Sequence, residues 1–286
     1  MPINFYIPNF WNFYKLNTFL IQHMKEVPEK FYDDVKIASI YGSFPSAIWN
    51  GGRGMGGEYA DDDNIINTIQ GVNDLDVAVR FTFTNCLLKD YHTEDAYCNR
   101  IMEAANNGMN EVVINSPVLE QYLREKYPNF NYISSTTKCL LEDVDIINEA
   151  DKYDLTVLDY RRNRDIEFLK SLENKDKYEL LINAYCNPNC TRRADHYIYL
   201  SKQQIEHSRG DLECAIRANN FFDALKFSSV IKADELYKTY YQELGFTNFK
   251  IEGRTNSVYD VIESYVYYLV KPEYKDEIRL LLCKNI

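Results

Sequence analysis

"DLDVAVRFTF", residues 74–83, sorts its side chains by parity. Leu75, Val77, Val79, Phe81 and Phe83 fall on one side; Asp76, Ala78, Arg80, Thr82 and the following Thr84 fall on the other. Successive strand residues point to opposite faces, so this segment predicts a strand with an unbroken apolar face and a face that carries charge. "FKIEGR", residues 249–254, repeats the arrangement, with Phe249 and Ile251 against Lys250, Glu252 and Arg254. If the apolar faces meet helices, the polar faces fill the inside of a closed barrel or its mouth. A buried, unpaired charge costs several kcal/mol, so Asp76, Arg80, Lys250, Glu252 and Arg254 must pair with one another or with a ligand.

Working outward, further strand candidates are 35–43, 111–116, 130–137, 155–160, 178–186 and 222–230, all rich in β-branched and aromatic residues. Helical segments separate them. Ser116-Pro117 opens one as cap and first residue. Leu236, Tyr237, Tyr240, Tyr241 and Leu244 recur at helical spacing before Gly245. Ser257 and Asp260 form a capping-box pattern ahead of Val261, Ile262, Tyr265, Val266 and Leu269, and Lys271-Pro272 ends that run. Eight strands alternating with helices predict an α/β fold with a parallel sheet closed as a (β/α)8 TIM-like barrel; an open doubly wound sheet is the alternative. The whole chain, 1–286, reads as one barrel domain. Residues 1–30 are expected to form an N-terminal helical extension, with a helix over about 9–25 under the barrel floor. Two connections are long, 44–73 and 187–221, and long loops in compact domains usually carry function.

Bulk properties narrow the function. The chain has 286 residues, 45% of them hydrophobic, enough for one large core. No apolar run approaches the ~20 residues of a membrane span, and the start lacks the basic and apolar segments of a secretion signal. Seven cysteines without such a signal predict reduced thiols in the cytoplasm. The net charge of −11 disfavours duplex nucleic acid and leaves a small molecule, a peptide or a short nucleotide as partner.

Active sites of such barrels lie where strands end and helices begin. The charges of strands 74–83 and 249–254 are expected to converge there, with Arg80 and Arg254 near the strand ends holding an anionic group of the substrate. Asn85, Asn115, Ser135, Thr137, Lys138, Asp159 and Asn183 stand at other strand ends as substrate-binding candidates. The glycine-rich stretch 44–57 offers Trp49 or Arg53 as a ligand contact, and it carries no phosphate-loop pattern. Histidines at 23, 92, 196 and 207 give no readable hydrolytic triad.

Past the strand 178–186 stand Cys186 and Cys190, then Arg192, Arg193 and His196. A Cys-x₃-Cys pair can reach one metal. Four thiolates hold an iron–sulfur cluster and four thiolates or imidazoles hold zinc. Cys214 and Cys139 are the further ligand candidates, and His196 is the spare; unligated thiols and a reversible disulfide are the alternatives.

"GFTNFKIEGRTNSVYDVIESYVYYLV", residues 245–270, resembles the signature of peptidase family U thirty-two, the collagenase-like peptidases, most specifically at Lys250 to Arg254. Residues 110–138, Cys186, Cys190 and "RGDLECAIR" at 209–217 resemble further parts of that family, with one family cysteine missing. The resemblance implies a TIM barrel with one of three roles. The first is a [4Fe–4S] enzyme of oxygen-independent hydroxylation, ligated by Cys186, Cys190, Cys214 and Cys139, with Arg80, Glu252 and Arg254 orienting a small or nucleotide-like substrate. The second is a peptidase, with Glu252, Asp159, His196 and Ser135 as the pool for an activating residue. The third is a non-catalytic, ligand-binding or accessory barrel working beside a related barrel.

Overall fold

The computed structural model describes residues 2–51, 57–208, 210, 212, 214 and 216–286. Eight parallel strands close into a barrel in chain order: β1 (Ile3–Pro8), β2 (Val35–Gly42), β3 (Ala78–Phe83), β4 (Glu111–Ile114), β5 (Asn131–Ser134), β6 (Leu155–Val157), β7 (Tyr178–Leu181) and β8 (Asn248–Lys250). The expected (β/α)8 barrel is therefore the observed fold. One of the eight expected strands, 222–230, is not part of it, and its place in the count is taken by a strand at the chain start.

The chain start is a strand. Ile3, Phe5 and Ile7 are buried against the helices, while Asn4 and Tyr6 face inward, where the Asn4 amide (2.8 Å) and the Tyr6 hydroxyl (2.9 Å) both donate to Asn248 Oδ1. β1 therefore closes the barrel between β8 and β2, and β3 and β8 do not flank a common strand. Helix α1 (Tyr14–Glu26) follows it and packs beside α2 (Asp62–Asn73) in the outer ring rather than under the floor. Segment 222–230, expected as the seventh strand, pairs with nothing because β7 and β8 already hydrogen-bond to each other. It lies around a short helix that the Asn220 side chain caps by accepting from the Asp223 N–H.

The remaining helices fill the ring: α3 (Ala96–Ala105), α4 (Pro117–Lys126), α5 (Asp143–Lys152), α6 (Ile166–Ser171), α7 (Arg193–Glu206), α8 (Phe221–Ala224), α9 (Ala233–Glu235), α10 (Val258–Leu269) and α11 (Lys275–Lys284). Ser116 and Ser257 cap α4 and α10 as expected, each accepting from the backbone N–H three residues on. α9 runs on into a π-helical turn over Leu236–Glu243, which buries Leu236 and Tyr240 and ends at Gly245 with φ +83°. The connection 187–221 is not structureless: α7 lies within it, and its first residue is Arg193.

Between strands and helices lies an aromatic shell, with Phe5 against Phe249 (5.9 Å between ring centres) and Phe10 against Phe81 (5.6 Å). Each such ring contributes roughly 1.5–3 kcal/mol by burial. Gly253 sits where this packing is tightest. A Cβ there would come within 2.9 Å of both Pro8 Cγ on β1 and Val261 Cγ2 on α10. Gly253→Ala is expected to cost about 1–3 kcal/mol. Urea denaturation checks this, and an unchanged midpoint would show that the backbone yields freely there.

The barrel interior is layered. Its middle layer holds Tyr6, Arg80, Glu111 and Glu179. The layer toward the strand C-termini holds Tyr41, Thr82, Val113, Val157, Leu181 and Lys250, as the alternation along each strand requires.

Candidate active site

Arg80 is fully buried. Its Nε meets Glu111 Oε2 at 2.5 Å, its Nη1 donates to Glu179, and its guanidinium lies 3.9 Å from the Tyr6 ring centre. Burial disfavours the charge, but the two carboxylates outweigh it and hold the guanidinium protonated. Lys250 Nζ stands 3.4 Å from the other oxygen of Glu179 and 4.1 Å from the Tyr41 ring centre. One carboxylate thus serves two cations from β3 and β8 across the barrel. The charged strand faces do converge, but through Glu179 on β7. Asp76 is not among them: it precedes β3, takes φ +59° and faces solvent beside Lys25.

Above this layer the barrel opens into a recess at the C-terminal ends of the strands, where barrel enzymes place their chemistry. It is lined by Tyr41, Thr82, Val113, Thr136, Val157 and Leu181 together with Cys186, Arg193, Tyr197, Lys250, Glu252 and Arg254. Arg254 Nη1 donates to Thr82 Oγ1, which anchors the guanidinium at the rim. The Glu252 backbone is clamped by Asn183, whose Oδ1 accepts from its N–H at 2.6 Å and whose amide donates to its carbonyl at 3.1 Å. Burial pushes Lys250 down to about 8, with Arg80 and Arg254 adding to the shift and Glu179 opposing it.

One wall of the recess is a second ion-pair cluster. Arg193, at the start of α7, donates to Thr136 Oγ1 at 3.0 Å, lies 3.2 Å from Asp159 and stacks over Tyr160. Arg161 grips both oxygens of Asp159 at 2.9 Å. Burial works against ionising Asp159, yet Arg161 and Arg193 outweigh it and hold the carboxyl below its usual range.

The candidates read from the sequence divide by this geometry. Glu252, Arg254, Ser135 and Thr137 line the recess. Arg80 lies beneath it, occupied by carboxylates rather than near a substrate anion. Asn183 supports the wall by holding the Glu252 backbone. Asp159 positions Arg193. Asn115 donates to Thr137 Oγ1 at 2.7 Å. Asn85 is wholly buried and ties carbonyls of Ile48 and Ser201 together. Lys138 turns to the helical ring, 2.6 Å from Glu149. Trp49 is a core residue: its Nε1 donates to the His92 carbonyl and its ring meets Phe83. Arg53 lies outside the described residues. Arg193 had no assigned role at the site and Lys250 only a place among the converging charges; Lys250 was legible by its parity on β8, Arg193 by its place just after Cys190.

Of the cysteines, Cys186 lines the recess, though five residues beyond the end of β7 rather than at its end. Cys190 lends its carbonyl to Arg161. Burial raises the Cys139 thiol, with Arg193 opposing. Cys214 is exposed. Among the described residues, no three His, Cys, Asp or Glu side chains come together as a ligand set. No helix among the described residues is long and apolar enough to cross a membrane.

No family model and no curated protein matches the sequence. Among solved structures, the U32 peptidase Mk0906 matches with a TM-score of 0.53 at 12% identity, over 89% of this chain and 94% of that one. A GH113 beta-1,4-mannanase covers 99% of this chain and 98% of its own at 14% identity, with a TM-score of 0.37. The likeness to the U32 peptidase is one of fold: this chain is a remote, U32-like TIM barrel.

Proposed function

We propose that this protein is an enzyme acting on a small carboxylate-bearing substrate, such as a short peptide, with the recess as its active site and amide hydrolysis as its reaction. The observation that carries this reading is the lining charge. Arg193, Lys250 and Arg254 face the recess against Glu252, in a chain whose net charge is −11. Such a site gathers a small anion while the rest of the molecule repels a long one. The apolar floor of Val113, Val157 and Leu181 and the aromatic Tyr41 suit a small organic body behind that anion. The peptidase assignment of the U32 neighbour fits the same chemistry.

In this reading Arg254, anchored on Thr82, takes the substrate carboxylate. Glu252 accepts a proton from the attacking water, whose oxygen bonds to the carbonyl carbon. The C–N bond then breaks and the amine leaves with the proton. The rigid backbone clamp of Asn183 fixes the height of Glu252 above Lys250. Short peptides and N-acyl amino acids incubated with the wild type and with Glu252→Gln test this. Loss of the general base is expected to lower turnover by about 10²–10⁴-fold. Equal and negligible cleavage by both proteins would reject the hydrolytic reading.

The iron–sulfur reading is supported by Cys186 in the recess wall and opposed by the lack of a gathered ligand set. Anaerobic reconstitution with iron and sulfide is expected to leave the protein colourless. A stoichiometric cluster with its charge-transfer absorption would replace the hydrolytic reading.

A further inference from the structure

Lys250 has a position that ion pairing alone does not require. It ends β8, just before Glu252 and Arg254 in the chain, and it lines the recess with them. It is 7% exposed, enclosed by the Tyr41 ring and Glu179. Arg80 already binds Glu179 and Glu111, so the carboxylates of the layer keep a cation without Lys250. The Lys250 side chain therefore borders both the buried ion pairs and the recess.

We infer that Lys250 is an amine nucleophile that captures a small α-oxo acid as an imine, the carbonyl carbon at Nζ and the carboxylate at Arg254. The Lys250 Nζ lies 4.1 Å, and the Arg254 Cζ 5.8 Å, from the centre of the same Tyr41 ring, so an amine and a guanidinium border one aromatic side chain in the lining of the recess. The neutral amine attacks the carbonyl carbon. The carbonyl oxygen takes up two protons, one leaving the nitrogen and one from the solvent-connected recess, and departs as water. The imine nitrogen returns the borrowed proton, so the balance is amine plus carbonyl giving imine plus water, with no redox partner. With an amine near 8 against 10.5 for an ordinary lysine, on the order of a hundredfold more of it is free base at neutral pH. This inference rests on the reading of the recess as a substrate site, and adds an activity distinct from amide hydrolysis.

The experiment is reductive trapping of the intact protein with pyruvate and cyanoborohydride, followed by peptide mapping. Lys250 is expected to acquire the adduct about tenfold or more faster than any other lysine. Its labelling rate should rise with pH and level off above about 8, where surface lysines continue to gain. Lys250→Arg, which keeps a cation beside Glu179 but cannot form the imine, should lose this fast label and leave slow surface labelling unchanged. Labelling spread evenly over surface lysines, with Lys250 unmodified, would overturn the inference. Calorimetry with L-lactate, which carries the carboxylate but no ketone, separates the two claims. Lactate binding without Lys250 labelling would sink the imine and leave the recess reading standing. Neither binding nor labelling would sink both.

Discussion

Glu179→Ala is expected to lower the unfolding free energy by about 3–5 kcal/mol, the cost of breaking a buried ion pair from one side. Glu179 is wholly buried on β7 and meets Arg80 through one oxygen and Lys250 through the other, at 3.4 Å for the lysine. Its removal leaves two buried cations with Glu111 as the remaining carboxylate of the layer. Arg80 cannot shed its charge, and one of its terminal nitrogens, Nη2, already lacks a hydrogen-bond partner among the described residues. Lys250 can shed its proton, and without Glu179 it does so more readily. The defect should therefore be larger at pH 6 than at pH 9, because above about 8 the lysine is neutral and the remaining charge on Arg80 can be matched by Glu111. Urea denaturation at the two pH values measures this. A loss below about 1 kcal/mol at pH 6 would mean that water, not protein, satisfies the cations of the interior. A Lys250→Met change added to Glu179→Ala should recover part of the loss, since it removes one of the stranded charges.

Arg254→Met should weaken the binding of small carboxylates by about 10- to 150-fold, equivalent to roughly 1.5–3 kcal/mol, as expected for losing hydrogen bonds to a charged group. The guanidinium is held by Thr82 Oγ1 from β3, so it is aimed before any substrate arrives and little ordering cost opposes binding. Arg254→Lys should restore only part of the affinity, because an ammonium lacks the forked donors that grip a carboxylate through both oxygens. Calorimetric titration with lactate or a dipeptide reads the change. An unaltered dissociation constant would move anion recognition away from β8, toward Arg193 on the opposite wall. Stability should fall by much less than affinity, since Arg254 lies at the rim and Arg80 carries the interior ion pairing.

The alternating runs 74–83 and 249–254 reported the barrel because their physics is local. A strand whose one face is wholly apolar and whose other face is charged has few places to sit other than a covered, closed sheet. The caps at Ser116 and Ser257 were legible for the same reason: side chain and backbone acceptor lie within one turn. Ile3–Pro8 carries the same parity, Ile3, Phe5 and Ile7 against Asn4 and Tyr6, but its prolines and its place at the chain start masked it as a lead-in to α1. Segment 222–230 misled in the opposite direction. Its Phe and Val content suits a strand, yet a strand exists only if it has a neighbour, and β8 had taken the place beside β7.

The sequence by itself determined the kind of sheet and the inward charges of two segments, Arg80 on β3 and Lys250 on β8, since these follow from the alternation of side chains along the chain. Which charges meet was decided only by the tertiary structure. Arg80, Glu179 and Lys250 are separated in sequence by 99 and 71 residues, and their contact depends on strand order and register, both fixed by the closure of the barrel through β1. The same closure placed Arg80 below the recess and Lys250 within it. Coulombic pairing across a barrel depends on ångström separations in space, and no pattern of neighbours along a chain encodes those.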